Sequence, residues 1–113
     1  MIKHPKLLAS EISADKSECI LEIYIPKEII FFLGHFADTP ILPGVVQVDW
    51  AIYFSEKLMD INKNNIRDIP QVKFTQVIFP DTQLFLSLKR ENNKIRFRYF
   101  DEINIYSLGI FKI

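Results

Sequence analysis

Cysteine is almost missing from this chain: Cys19 is the only one in 113 residues. That excludes an internal disulfide and a cysteine-built metal cluster, and it fits a reducing compartment. Net charge is missing as well, because fourteen basic and fourteen acidic side chains cancel. No global field therefore argues for nucleic acid or an anionic membrane surface, and a charge-based partner would have to use a local patch. No apolar run approaches the length of a membrane span, and the opening MIKHPKLLAS holds too short an apolar core for a signal peptide. The expectation is a soluble, cytoplasmic protein. Histidine is scarce, at two residues. His4, beside Pro5 in a stretch expected to fray, is read as solvent-exposed and without a role.

What is present is apolar bulk, 49% of the chain, enough for one domain over residues 1–113 with a single core. The stretch from Gly34 to Phe54, GHFADTPILPGVVQVDWAIYF, organises the rest. It holds the second histidine, His35, then a Pro43–Gly44 step that marks a helix start, then an almost wholly apolar helix running to Met59 or Asp60. From Val45 to Phe54 only Gln47 and Asp49 are polar, and Gln47 is read as bonding a neighbouring backbone group. Burying Asp49 ionised and unpaired would cost several kcal/mol. On a helical wheel it shares a face with Glu56 and Asp60, which suits a solvated stripe, but also with Val45, Ile52 and Tyr53, which suits a subunit contact or a pocket.

Strands surround this helix in the sequence. Glu18–Ile25 alternates with period two, placing Cys19, Leu21, Ile23 and Ile25 on one buried face. A shorter strand precedes it over Lys6–Ser13, and Lys27–Phe32 reads as a short helical turn into the histidine loop. After the polar connector INKNNIRD come strands over Pro70–Ile78, Gln83–Leu88, Lys94–Phe100 and Ile103–Ile113, divided by FPDT, KRENN and DE. The pattern is α+β, an antiparallel sheet curled around one helix.

The segment GHFADTPILPGVVQVDWA resembles the active-site segment of the hot-dog-fold β-hydroxyacyl-ACP dehydratases. That family has a loop histidine, a glycine nine residues later that opens the central helix, and an acid fourteen later; His35, Gly44 and Asp49 stand at those positions. The words ILPGVVQVDWA look most like the branch serving aryl-polyene biosynthesis. Ala37 and Asp38 depart from the Pro-Gly that usually follows His-Phe, and VKFTQVIFPDTQL and YSLGIFKI are weaker echoes of later family strands. The resemblance implies a hot-dog fold and dehydration of a 3-hydroxyacyl thioester on the phosphopantetheine arm of an acyl carrier protein. It implies a homodimer with shared sites, and no metal or organic cofactor.

The residue types suit that chemistry. His35 titrates near cellular pH and can take or give a proton. Asp49 would protonate or orient the departing hydroxyl, and Gly44, at a helix N-terminus, would offer a backbone N–H to the thioester carbonyl. Phe36, Pro43, Val45 and Tyr53 are the residues expected to line the substrate's path. Asp38 suits ordinary turn chemistry. Lys89, Arg90, Lys94, Arg96 and Arg98 suit either a solvated sheet face or contact with an acidic carrier protein. Two other functions stay open: an acyl thioesterase of the same fold, and a non-catalytic module that binds acyl chains or carrier proteins.

Overall fold

The computed structural model describes residues 2–29 and 40–113, apart from the side chains of Ile69 and Pro70. Its strands are β1 (Lys6–Ile12), β2 (Glu18–Ile25), β3 (Asp68–Phe74), β4 (Thr82–Glu91), β5 (Lys94–Phe100) and β6 (Ile105–Lys112). One helix, α1 (Gly44–Met59), falls between β2 and β3, followed by a short 3-10 turn at Lys63–Asn65. The strands form one antiparallel sheet in the order β1-β2-β4-β5-β6-β3. Because β2 pairs with β4, the helix and β3 lie between paired strands in the chain, so α1 is laid across the sheet.

Period-two alternation decides which face the helix covers. Cys19, Leu21, Ile23 and Ile25 of β2, Leu84, Leu86 and Leu88 of β4, and Ile95, Phe97 and Tyr99 of β5 all point inward and are buried. Lys94, Arg96 and Arg98 alternate with them on the outer face. The helix meets that floor with Val46, Trp50, Ala51, Phe54 and Met59, its buried apolar side. Each large side chain fully removed from water there stabilises the fold by about 1.5–3 kcal/mol.

Several boundaries differ from expectation, and β4 runs over Thr82–Glu91 where Gln83–Leu88 was expected, because it pairs with β5 as far as Glu91 opposite Lys94. β3 begins earlier and ends at Phe74 rather than Ile78, because Thr75 and Gln76 turn their N–H groups onto the carbonyl of Tyr106 and the ladder stops. Ile78 is buried all the same, in the connection to β4. β6 starts at Ile105, since Asp101 caps a turn through the N–H groups of Ile103 and Asn104. Lys27 and Glu28 form a turn and Ile29 a single bridge rather than a helical turn, while the rest of the segment, residues 30–32, lies outside the described residues.

The expectation of a frayed start is also corrected. Trp50 Nε1 donates to the Lys3 carbonyl at 2.9 Å, Pro5 is buried, and Ile2 bridges to Ile29. His4 is half-buried with its ring stacked on Tyr53, centroids 3.9 Å apart. Aromatic contact and a satisfied indole N–H outweigh the general looseness of chain ends.

Candidate functional site

The site is built at the start of α1. Pro43 sits at the N-cap with φ −60° and ψ 145°, extended rather than as the first helical residue, and it makes no side-chain cap. The N–H groups of Val46 and Gln47 both return to the Pro43 carbonyl, at 3.1 and 3.3 Å. Gly44 and Val45 thus supply the first N–H groups that the helix itself cannot satisfy. No acidic residue occupies the first turn, so the positive end of the helix dipole stays uncompensated by its own side chains.

Over this helix start runs an open groove of about 440 Å3, walled by Ile41 to Gly44, Gln47 and the segment from Phe74 to Val77. Phe74 explains the glycine physically: a Cβ on Gly44 would stand 2.6 Å from the Phe74 ring. The ring is itself half exposed, so the closeness reflects a movable wall and not a locked core contact. Its neighbours Val77 and Phe79 also expose apolar surface.

Asp49 lies on the helix side that the sheet leaves uncovered. It is exposed in the single chain, in company with Val45, which is 76% exposed, and with half-buried Ile52 and Tyr53. The solvated stripe toward Glu56 and Asp60 is also exposed. One chain therefore presents Asp49 on a mixed face with nothing of its own over it among the described residues. Tyr53 OH accepts a hydrogen bond from Lys57 Nζ at 3.2 Å. His35, Phe36, Ala37 and Asp38 lie outside the described residues. The structure brings Pro43 and Gly44 to the groove and sets Val45, Asp49 and Tyr53 on the open helix face.

Of the polar residues beneath the site, sequence reasoning took Gln47 as far as a bond to neighbouring backbone, which the Leu42 carbonyl provides, and passed over Ser107 and Tyr99. Gln47 is 2% exposed; its Oε1 accepts from Ser107 Oγ at 2.7 Å, its Nε2 donates to the Leu42 carbonyl at 3.2 Å, and its backbone carbonyl accepts from Tyr99 OH at 2.7 Å. Burial, with a smaller contribution from the charge on Asp49, pushes the Tyr99 phenol well above its ordinary range. The available signal was Gln47 itself, a polar side chain on an otherwise apolar helical stripe.

The basic residues expected on the outer face are exposed there, with Lys89 3.4 Å from Glu18 and Arg96 3.2 Å from Glu91. Such exposed pairs contribute little to stability. Among the described residues, no helix is long and apolar enough to cross a membrane.

A model of the ApeI-like family, described as ApeI dehydratase, matches residues 11–109. The chain belongs to the ApeI-like dehydratase family. The dehydratase heterocomplex ApeI:P from Xenorhabdus doucetiae contains a chain 28% identical to this one, with a TM-score of 0.84 and 96% of each chain covered. A structure from Erwinia carotovora subsp. atroseptica is 25% identical at a TM-score of 0.80, covering 96% of this chain and 94% of that one. A curated relative, the 3-hydroxyacyl-[acyl-carrier-protein] dehydratase FabZ of Buchnera aphidicola subsp. Schizaphis graminum, is 31% identical over 85 residues. That match takes in 66% of this chain and 56% of the relative, so it spans little more than half the relative's length. The dehydratase domain of the polyketide PpsC from Mycobacterium tuberculosis, 14% identical at a TM-score of 0.72, covers 98% of this chain and 44% of that one and shares the fold alone. The architecture of this ApeI-like chain, one helix and six strands among the described residues, is the hot-dog fold.

Proposed function

We propose that this chain is a hydro-lyase that dehydrates 3-hydroxyacyl thioesters held on an acyl carrier protein, in fatty-acid-like or aryl-polyene synthesis. The elimination removes a proton from the carbon beside the thioester carbonyl and the hydroxyl from the next carbon, giving the trans-2-enoyl thioester and water. In this reading His35 takes the proton and Asp49 delivers one to the departing hydroxyl. Negative charge grows on the carbonyl oxygen as the first bond breaks, and the Gly44 N–H at the uncapped helix start is the donor for it. Pro43, Val45, Phe36 and Tyr53 line the substrate's path.

The observation that carries the reading is the start of α1. Gly44 opens the helix beneath an open groove with no side-chain cap on its N–H groups, and family membership supplies the meaning of that geometry. The uncovered face around Val45 and Asp49 supports a homodimer in which His35 of one subunit faces Asp49 of its mate, acting in the cytoplasm.

The test is mass spectrometry of a 3-hydroxyacyl carrier protein incubated with the purified chain. Loss of one water from the acyl group, with the thioester intact, is expected. Release of free carrier thiol would identify a thioesterase instead, and an unaltered acyl group would leave a binding module.

A further inference from the structure

We propose that Gln47 is a positioning residue: its buried amide sets the direction in which the Gly44 N–H points. The bonds form a short mechanical path. Gln47 Nε2 holds the Leu42 carbonyl, and the Leu42 N–H is held from the other side by the Ile78 carbonyl at 2.8 Å. The Leu42 carbonyl belongs to the planar peptide that joins Leu42 to Pro43. The ring of Pro43 fixes φ. Only one soft torsion, ψ of Pro43, then separates the plane held by Gln47 from the plane that carries the Gly44 N–H. That second plane is restrained in turn, because the Pro43 carbonyl accepts from Val46 and Gln47.

The other end of Gln47 is anchored to the sheet. Ser107, fully buried on β6, donates to Oε1, and Tyr99, fully buried on β5, donates to the backbone carbonyl of the same residue. Ser107 stands opposite Phe74 in the pairing of β6 with β3, and the Phe74 ring lies against Gly44. Gln47 therefore connects the helix start, the approach to it and the strand register beneath the groove wall. A residue needed only for volume would not require a primary amide with both ends engaged, since an apolar side chain of similar shape fills the same space.

The kinetic arm of the test rests on the proposed dehydration; a spectroscopic arm does not. Gln47→Met combined with Ser107→Ala removes the amide and its hydroxyl donor together, so that only the Leu42 carbonyl loses its side-chain partner. Kcat should fall about 10- to 100-fold, the scale of a sub-ångström to ångström misplacement, while KM stays within about twofold. The chain holds three glycines, so glycine-selective 15N labelling gives a sparse spectrum in which Gly44 is assigned by its loss in Gly44→Ala. The Gly44 amide resonance should move in the double variant and return toward its native position when hydroxyl and amide are kept, as in Ser107→Thr. A folded double variant with native kcat and an unmoved Gly44 resonance would reduce Gln47 to core packing. Should the double variant not fold, Ser107→Ala alone decides by the same two readouts. If the native protein proves unable to dehydrate, the proposed activity fails, and the Gly44 resonance still decides the positioning role.

Discussion

Replacing Asp49 by Asn keeps the shape of the side chain and removes its capacity to deliver a proton. Because the residue is exposed in the single chain, the melting temperature should stay within a few degrees while turnover is lost. His35→Ala should likewise abolish turnover in a folded protein, and circular dichroism beside a product assay checks both. A different residue gives a prediction about reactivity. Cys19 is 1% exposed on the inner face of β2, and burial pushes its thiol up to about 11. A thiol-specific disulfide reagent at pH 8 should leave the native protein unlabelled and modify it on unfolding in urea, because the reactive species is the thiolate. Rapid stoichiometric labelling of the native chain would contradict that burial. The placement of Gly44 at the helix start and of Asp49 five residues further along the same helix was legible in the sequence because that pattern is local. Gln47 was legible only as far as its bond to neighbouring backbone: Ser107 and Tyr99 stand 60 and 52 residues away, and only folding reveals them as partners.

The helix was read correctly at both ends, and β2 and β5 to the residue, because their alternation is strict and the turns beside them are polar. Expectation slipped at β4, which its pairing with β5 carries on to Glu91, and at β3 and β6, where strand ends are set by hydrogen bonds to the Tyr106 carbonyl and the Asp101 carboxylate that no local pattern announces. The start of the chain slipped for a similar reason, since Tyr53 and Trp50, far along the sequence, hold Lys3 and His4. The start of α1 also supports a prediction of its own. Gly44→Val would place side-chain carbons against the Phe74 ring and beside the Gly44 N–H. The half-exposed ring can swing aside, so the fold should survive, whereas the donor that matters most as charge develops is obstructed. Steady-state kinetics should show kcat falling more than KM rises. A change confined to KM would indicate steric blocking of substrate alone.

At the scale of the molecule, the sheet covers one side of α1 and leaves the Val45–Asp49 side open, which is where a twofold mate would complete the site. If each site takes His35 from one subunit and Asp49 from the other, His35→Ala and Asp49→Asn are inactive alone but complementary together. Random re-pairing of equal amounts makes half of the dimers mixed, and each mixed dimer holds one undamaged site, so about a quarter of all sites should recover. Co-refolding the two variants and assaying turnover, with mixed dimers verified by native mass spectrometry, checks this; mixed dimers without activity would place both residues in one chain. The strand order has a temporal consequence too. β3 is made before β4, β5 and β6, yet its neighbour in the sheet is β6. A growing chain therefore carries β3 without a ladder while the β4–β5 hairpin can already close beside β2. The groove takes Phe74 from β3, and Ser107 on β6 anchors the Gln47 that lines it. It comes into existence only when that late pairing is made, so a nascent chain can hold most of its sheet before it has the groove at all.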